Sequence, residues 1–115
     1  MATNVDIIAA NALLTEFNIN EVYHDDAPEH GTYPIISYTD LQENPALHAD
    51  NKLYGHEHII RVTIITHGNA GINELKTRVF NCMTEAGFMW QTTNKTRDGK
   101  EYYTTMDFSI NVNDF

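Results

Sequence analysis

The sequence predicts an α+β domain: a mixed, mostly antiparallel β-sheet of four to five strands with two helices packed on one face. Three observations carry this. Apolar residues recur at helical spacing near the start and again past the middle of the chain. Between those stretches stands HEHIIRVTIIT, dense in β-branched residues. The last third alternates apolar and polar residues around an Asp-Gly pair, the pattern of a long hairpin. Helices and strands in that order pack as helices on a sheet.

The first helix is expected from about Asn4 to Phe17. Val5, Ile8, Ala9, Ala12 and Leu13 form its stripe, Thr3 or Asn4 can cap it, and Asn18 and Asn20 end it. Tyr23 to Gly31 (YHDDAPEHG) is acidic and turn-rich, a loop by composition. Tyr33 to Tyr38 (YPIISY) is a short strand. Pro34 cannot donate to a ladder, so the strand starts there or lies at an edge. Asp40 to Gly55 is polar and broken by Pro45, a long loop of the kind that is functional or mobile.

His56 to Thr66 is the strongest strand. Ile60, Val62 and Ile64 share one face, and Ile59 and Ile65 share the other, which points to a central strand covered partly on both sides. HGNAG breaks it. A second helix is expected from Ile72 to Ala86, with Ile72, Leu75, Val79, Met83 and Ala86 as its stripe and Gly87 as a left-handed C-terminal cap. The hairpin then has arms Phe88 to Thr96 and Lys100 to Val112, with Asp98-Gly99 as a type I′ turn. In the second arm Tyr102, Met106, Phe108, Ile110 and Val112 form the core face.

At 115 residues the chain fits one domain, residues 1–115, with no repeat, linker or low-complexity segment. A chain of this size buries roughly two-thirds of its unfolded surface, enough for one core. No stretch approaches the ~18 apolar residues of a membrane span. MATNVDII lacks a basic region and carries Asp6, so a secretory signal is not expected. Seven basic against sixteen acidic residues give a formal charge of −9. Nucleic-acid affinity draws largely on Lys and Arg neutralising phosphates, so this balance argues against a DNA- or RNA-binding module. It suits a solvated acidic surface, or one that repels nucleic acid.

The chemistry-bearing residues form no recognised catalytic pattern. Cys82, the single cysteine, falls between Phe80 and Met83 in the helical pattern and reads as a packed residue rather than a reactive thiol. His56-Glu57-His58 has a spacing of two on a strand, whereas a zincin helix needs His residues four apart. His24, Asp25, Asp26, Glu29 and His30 cluster in the acidic loop, but structural zinc brings a closed four-ligand set, often with Cys. Surface or edge histidines are the simpler reading of both groups. Gly68-Asn69-Ala70-Gly71 joins a strand to a helix without a Lys or Arg nearby and reads as a turn. Asp25, Asp26, Glu43, Asp50, Asp98 and Glu101 are scattered acids, and Trp90 and Tyr102 read as core. No enzyme activity, cofactor or metal is expected. Lys95, Arg97 and Lys100 surround the predicted turn; a charged hairpin tip is soluble, and it can also meet an acidic neighbouring subunit.

From Tyr33 onward the order of segments resembles the tail terminator (tail completion, or tail-to-head joining) proteins of long-tailed bacteriophages and prophages. YPIISY is followed by a polar loop with ADNKLYG, then HIIRVTIIT, a helix, and MTEAGFMWQTTNKTRDGKEYYTTMDFSI. Met83, Gly87 and Phe88 match that family's helix-to-hairpin junction. The resemblance spans about three-quarters of the chain and includes no catalytic element. It implies a ring of identical subunits, six in number, that caps the head-proximal end of the tail tube and stops its growth. The implied partners are the ring's own copies, the tail tube protein and the head-closure (neck) protein. DNA would cross the lumen without specific binding, and no membrane is involved. The implied location is the virion tail or neck, with assembly in the bacterial host cytoplasm. A ring joins two different patches of each copy. The candidates are Asn51, Lys52 and Tyr54 on one side and Lys95, Arg97 and Lys100 on the other. Another neck or tail assembly protein, and a small ligand-binding α+β domain, are the alternative readings.

Overall fold

The structure, a computed structural model, describes residues 4–18, 21–25, 34–45, 56–68 and 71–112. The elements run α1 (Asn4–Leu14), β1 (Val22–His24), β2 (Ile35–Pro45), β3 (His56–His67), α2 (Ile72–Glu85), β4 (Met89–Asp98) and β5 (Glu101–Val112). The five strands form one mixed sheet in the order β1-β2-β3-β5-β4. Only the β1–β2 pair is parallel; the other three are antiparallel. The predicted α+β class holds, and β3 is the central strand that its apolar residues on both faces required.

One face of the sheet carries the core. Ile60, Val62 and Ile64 are fully buried there, and the ladders place Ile36 and Tyr38 on one side of them and Thr104, Met106 and Phe108 on the other. Both helices cover this face. Val5, Ala9, Ala12, Leu13 and Phe17 from the N-terminal segment join Val79, Cys82 and Met83 from α2 in a single apolar cluster. Burial of a Leu or Phe side chain stabilises by about 1.5–3 kcal/mol, so this cluster supplies most of what holds the layers together. On the opposite face the cross-strand pair Ile35–Ile65 is also buried.

α1 stops at Leu14, three residues short of the expected Phe17. Thr15 turns back to donate to Ala12 O through its backbone N–H (3.3 Å) and its hydroxyl (2.7 Å), tightening the last turn so that Phe17 still reaches the core. Arg78 then ties this end to α2. It bonds the Glu16 carboxylate (3.3 Å) and the Glu16 carbonyl, and its guanidinium lies 4.5 Å over the Phe17 ring. A cation on the last carbonyls of a helix end is favourable to its dipole.

Three further features differ from the sequence reading. Val22–His24, expected within or beside a loop, forms a three-residue strand by parallel pairing with Ile36–Tyr38. β2 begins after Pro34 as expected but runs on to Pro45, through a register shift between Asp40 and Gln42, because the long β3 offers a ladder along its whole length. The hairpin turn sits one residue later than expected. Asp98 pairs with Glu101, leaving Gly99 and Lys100 as the two loop residues, and only Gly99 of the two has positive φ (62°). That is the pattern of a type II′ turn with Gly first, not the expected I′ turn centred on Asp98-Gly99.

The end of α2 follows expectation. Gly87 (φ 103°) donates to Thr84 O and Phe88 donates to Met83 O, both at 3.1 Å, the two bonds of a Schellman cap. Phe88 and Met83 are both buried, which supplies the motif's usual apolar contact and aims the chain into the hairpin.

Candidate functional site

The hairpin tip brings together one of the two predicted contact groups. Lys95 and Arg97 lie on the same face of β4, and Arg97 pairs across the ladder with Tyr102. Lys95 Nζ stands 5.2 Å and Arg97 Cζ 5.3 Å from the centre of the Tyr102 ring, so both cations lean on one aromatic face. Arg97 Nε also donates to Gly99 O (2.9 Å), which fixes its stem against the turn. Arg97, Lys100 and Tyr102, with His67 and Gly68 at the end of β3, line a cleft of about 350 Å³. Arg97 and Lys100 give it two cationic side chains, a setting suited to carboxylates. Asn51, Lys52 and Tyr54, the other predicted group, lie outside the described residues.

Most of the other described cations are committed within the fold. Arg61 makes a two-pronged contact with Asp107, its cross-strand partner, at 2.8 and 3.1 Å. That hydrogen bonding holds the guanidinium's pKa above its ordinary value, against the opposing effect of burial. Arg78 is held by Glu16. Lys76 lies with Thr77, Phe80, Trp90, Thr93 and Met106 along a groove of about 300 Å³ between α2 and β4.

That groove corrects one sequence reading. Trp90 was expected in the core, yet it is 48% exposed, its indole N–H donating to the Thr93 hydroxyl (2.8 Å). Phe80 is 40% and Met89 61% exposed. β4 is an edge strand among the described residues, and all of it but Thr93 is exposed. Tyr102 is half-buried, held under the two cations.

The histidines part ways. His58, read as a surface or edge residue, is buried on the central strand, with Nδ1 2.8 Å from Asp40 Oδ2. His58 shares the core face of β3 with Ile60, and Asp40 on β2 supplies the polar neighbour that a buried imidazole needs. His24 is exposed as expected but is not isolated. Its ring stacks on Tyr38 at 4.9 Å, and Nε2 lies 3.6 Å from Asp6 Oδ1 and 3.5 Å from Asp25 Oδ1. Thr39 donates to the same Asp25 oxygen (2.7 Å). Burial, then the Asp6 and Asp25 charges, push the Tyr38 phenol above its ordinary range. Asp6, from the first turn of α1, is the member that sequence proximity could not assign to this group. Asp26, Glu29 and His30 lie outside the described residues. Among the described residues no three His, Cys, Asp or Glu side chains are grouped to hold a metal ion.

Cys82 is buried, donates to Val79 O (3.3 Å), and has its thiol pushed up to about 11, by burial first and then by Glu16. It is a packing residue, as its place in the apolar stripe suggested. Among the described residues no helix is long and apolar enough to cross a membrane.

No family model matches the chain, and no curated protein matches it. Among solved structures it is similar to a chain of the virion of a native gene transfer agent (GTA) particle, with a TM-score of 0.61. The two are 16% identical, and the alignment covers 91% of each chain. At that identity the likeness establishes a shared fold.

Proposed function

We propose that this chain is a structural virion component: the subunit of a six-membered ring that caps the head-proximal end of a phage tail tube, stops its growth and joins tail to head. The observation that carries the reading is the shared fold with a chain of a virion particle over 91% of both lengths. The order of segments after Tyr33 points to the same class of assembly by a separate route. The chain acts by assembly and not by catalysis, in the neck of the virion, after folding in the host cytoplasm. Its partners are its own copies, the tube protein and the head-closure protein. An open sheet with both helices on one face also differs from the β-barrel-like fold expected of a head-closure protein.

The acidic balance has a role in such a ring. With a formal charge of −9, a lumen lined by carboxylates lets DNA pass without sticking to phosphates. Electron microscopy of the concentrated protein, alone and with growing tail tubes, tests the reading. Closed six-fold rings, and tubes that stop growing at a capped end, are expected. A protein that stays monomeric at every concentration and leaves tube growth unchanged would overturn it.

A further inference from the structure

The two edges of the sheet differ in charge and match in height. On one side β4 runs for ten residues, and its outer edge pairs with no strand among the described residues. It carries Lys95 and Arg97, with Met89 and Trp90 exposed near its start. On the other side β1 covers only Ile36–Tyr38 of β2, so β2 from Thr39 to Pro45 (TDLQENP) is itself an outer edge among the described residues. That side carries Glu21 and Asp25 flanking β1, and Leu41, 44% exposed.

The ladders give the relative heights. Trp90 stands across from Phe108, Phe108 from Ile60, and Ile60 from Asp40, so Trp90 is level with Leu41's neighbour at the far edge. Lys95 stands across from Thr104, then Ile64, Ile36 and Val22, so Lys95 is level with the residue next to Glu21. β4 runs antiparallel to both β1 and β2 within the sheet. A copy related by rotation about an axis along the strands therefore presents β1 and β2 antiparallel to β4, the arrangement in which sheets extend most readily.

We propose, resting on the ring reading above, that copies join edge to edge: β4 of one subunit lies along β1 and the open part of β2 of the next. Lys95 and Arg97 meet the neighbour's Glu21, and Trp90 meets the neighbour's Leu41. A bulge between Trp90 and Thr92 and a lysine are devices by which a lone edge avoids pairing. They do not account for two large apolar side chains beside them, which on a lone edge invite aggregation and at an interface form its anchor.

Two experiments test this. In the first, Trp90→Cys and Leu41→Cys are combined in one chain and oxidised at ring-forming concentration. Covalent oligomers up to a closed ring are expected, and neither single variant yields them, because Cys82 is buried. In the second, Lys95→Glu with Arg97→Glu abolishes rings, and adding Glu21→Lys to that chain restores them. Circular dichroism confirms that each variant is folded. Wild-type rings with no cross-link and no effect of charge reversal would overturn the edge pairing and leave the ring reading standing. Cross-linked chains that lengthen without closing would uphold the edge pairing and overturn the ring. Absence of both rings and cross-links would overturn both.

Discussion

β3 and β4 lie two places apart in one sheet and are nearly opposite in kind. β3 has ladders on both sides, and Ile60, Val62 and Ile64 are wholly buried beneath the helices. β4 has one ladder among the described residues, and every residue of it but the half-buried Thr93 is exposed. The contrast separates what holds this fold from what the fold presents. Side chains at the centre are buried against one another, whereas those at the edge stay largely exposed, where contacts from outside the subunit can reach them.

The largest expected effect breaks that contrast at its centre. Phe108 is fully buried on β5, between β3 and β4, and contributes to the core shared by both helices. Phe108→Ala should cost about 3–5 kcal/mol, the range for removing a large buried aromatic. Thr96→Ala on the exposed β4 should stay within about 0.5 kcal/mol, as for surface changes away from special features. Urea unfolding of both variants, followed by circular dichroism, checks the difference. Equal losses would mean that β4 is as integral to the subunit as β5.

A smaller effect concerns the thiol beneath the helices. Burial pushes the Cys82 thiol up to about 11, which leaves on the order of a hundredfold less thiolate at a given pH below its ordinary range. Native protein should therefore react with a thiol reagent at pH 8 far more slowly than the urea-unfolded chain. The linkage sign follows: the raised folded pKa contributes stability that is complete below pH 9 and lost as pH rises through about 11. Prompt labelling of the folded protein at pH 8 would show that this part of the core opens easily.

The same division explains what could be read in advance. β3, β5 and α2 carry their partners' needs in their own pattern: alternation, β-branching, a stripe ending in Gly87. β1 could not be read, because Val22–His24 is too short for a pattern and becomes a strand only beside β2. The extension of β2 past Tyr38 was hidden for the same reason, since Asp40 to Pro45 is polar and is held by β3. His58 misled because its burial depends on Asp40, eighteen residues earlier in the chain. At the candidate site, the grouping of Lys95, Arg97 and Lys100 was legible from the turn between them, but Tyr102 as their shared platform required the register. Trp90 was misplaced because a large aromatic in an alternating strand signals burial, without saying whether a second layer or a second subunit supplies it.

Trp90 therefore sharpens the comparison with the smallest effect on the subunit. It is the single tryptophan, 48% exposed, and its indole N–H donates to Thr93 on the same strand. Trp90→Ser should change the unfolding free energy of dilute protein by no more than about 0.5–1 kcal/mol, because about half of the side chain already contacts water. In wild-type protein the same side chain reports on its surroundings without a label. Dilute samples should show the red-shifted, iodide-quenchable emission of a wet indole. Raising the concentration into the range where copies associate should shift emission to the blue and protect it from iodide. If association proceeds with no change in emission, the exposed end of β4 stays in water, and the edge is only an edge.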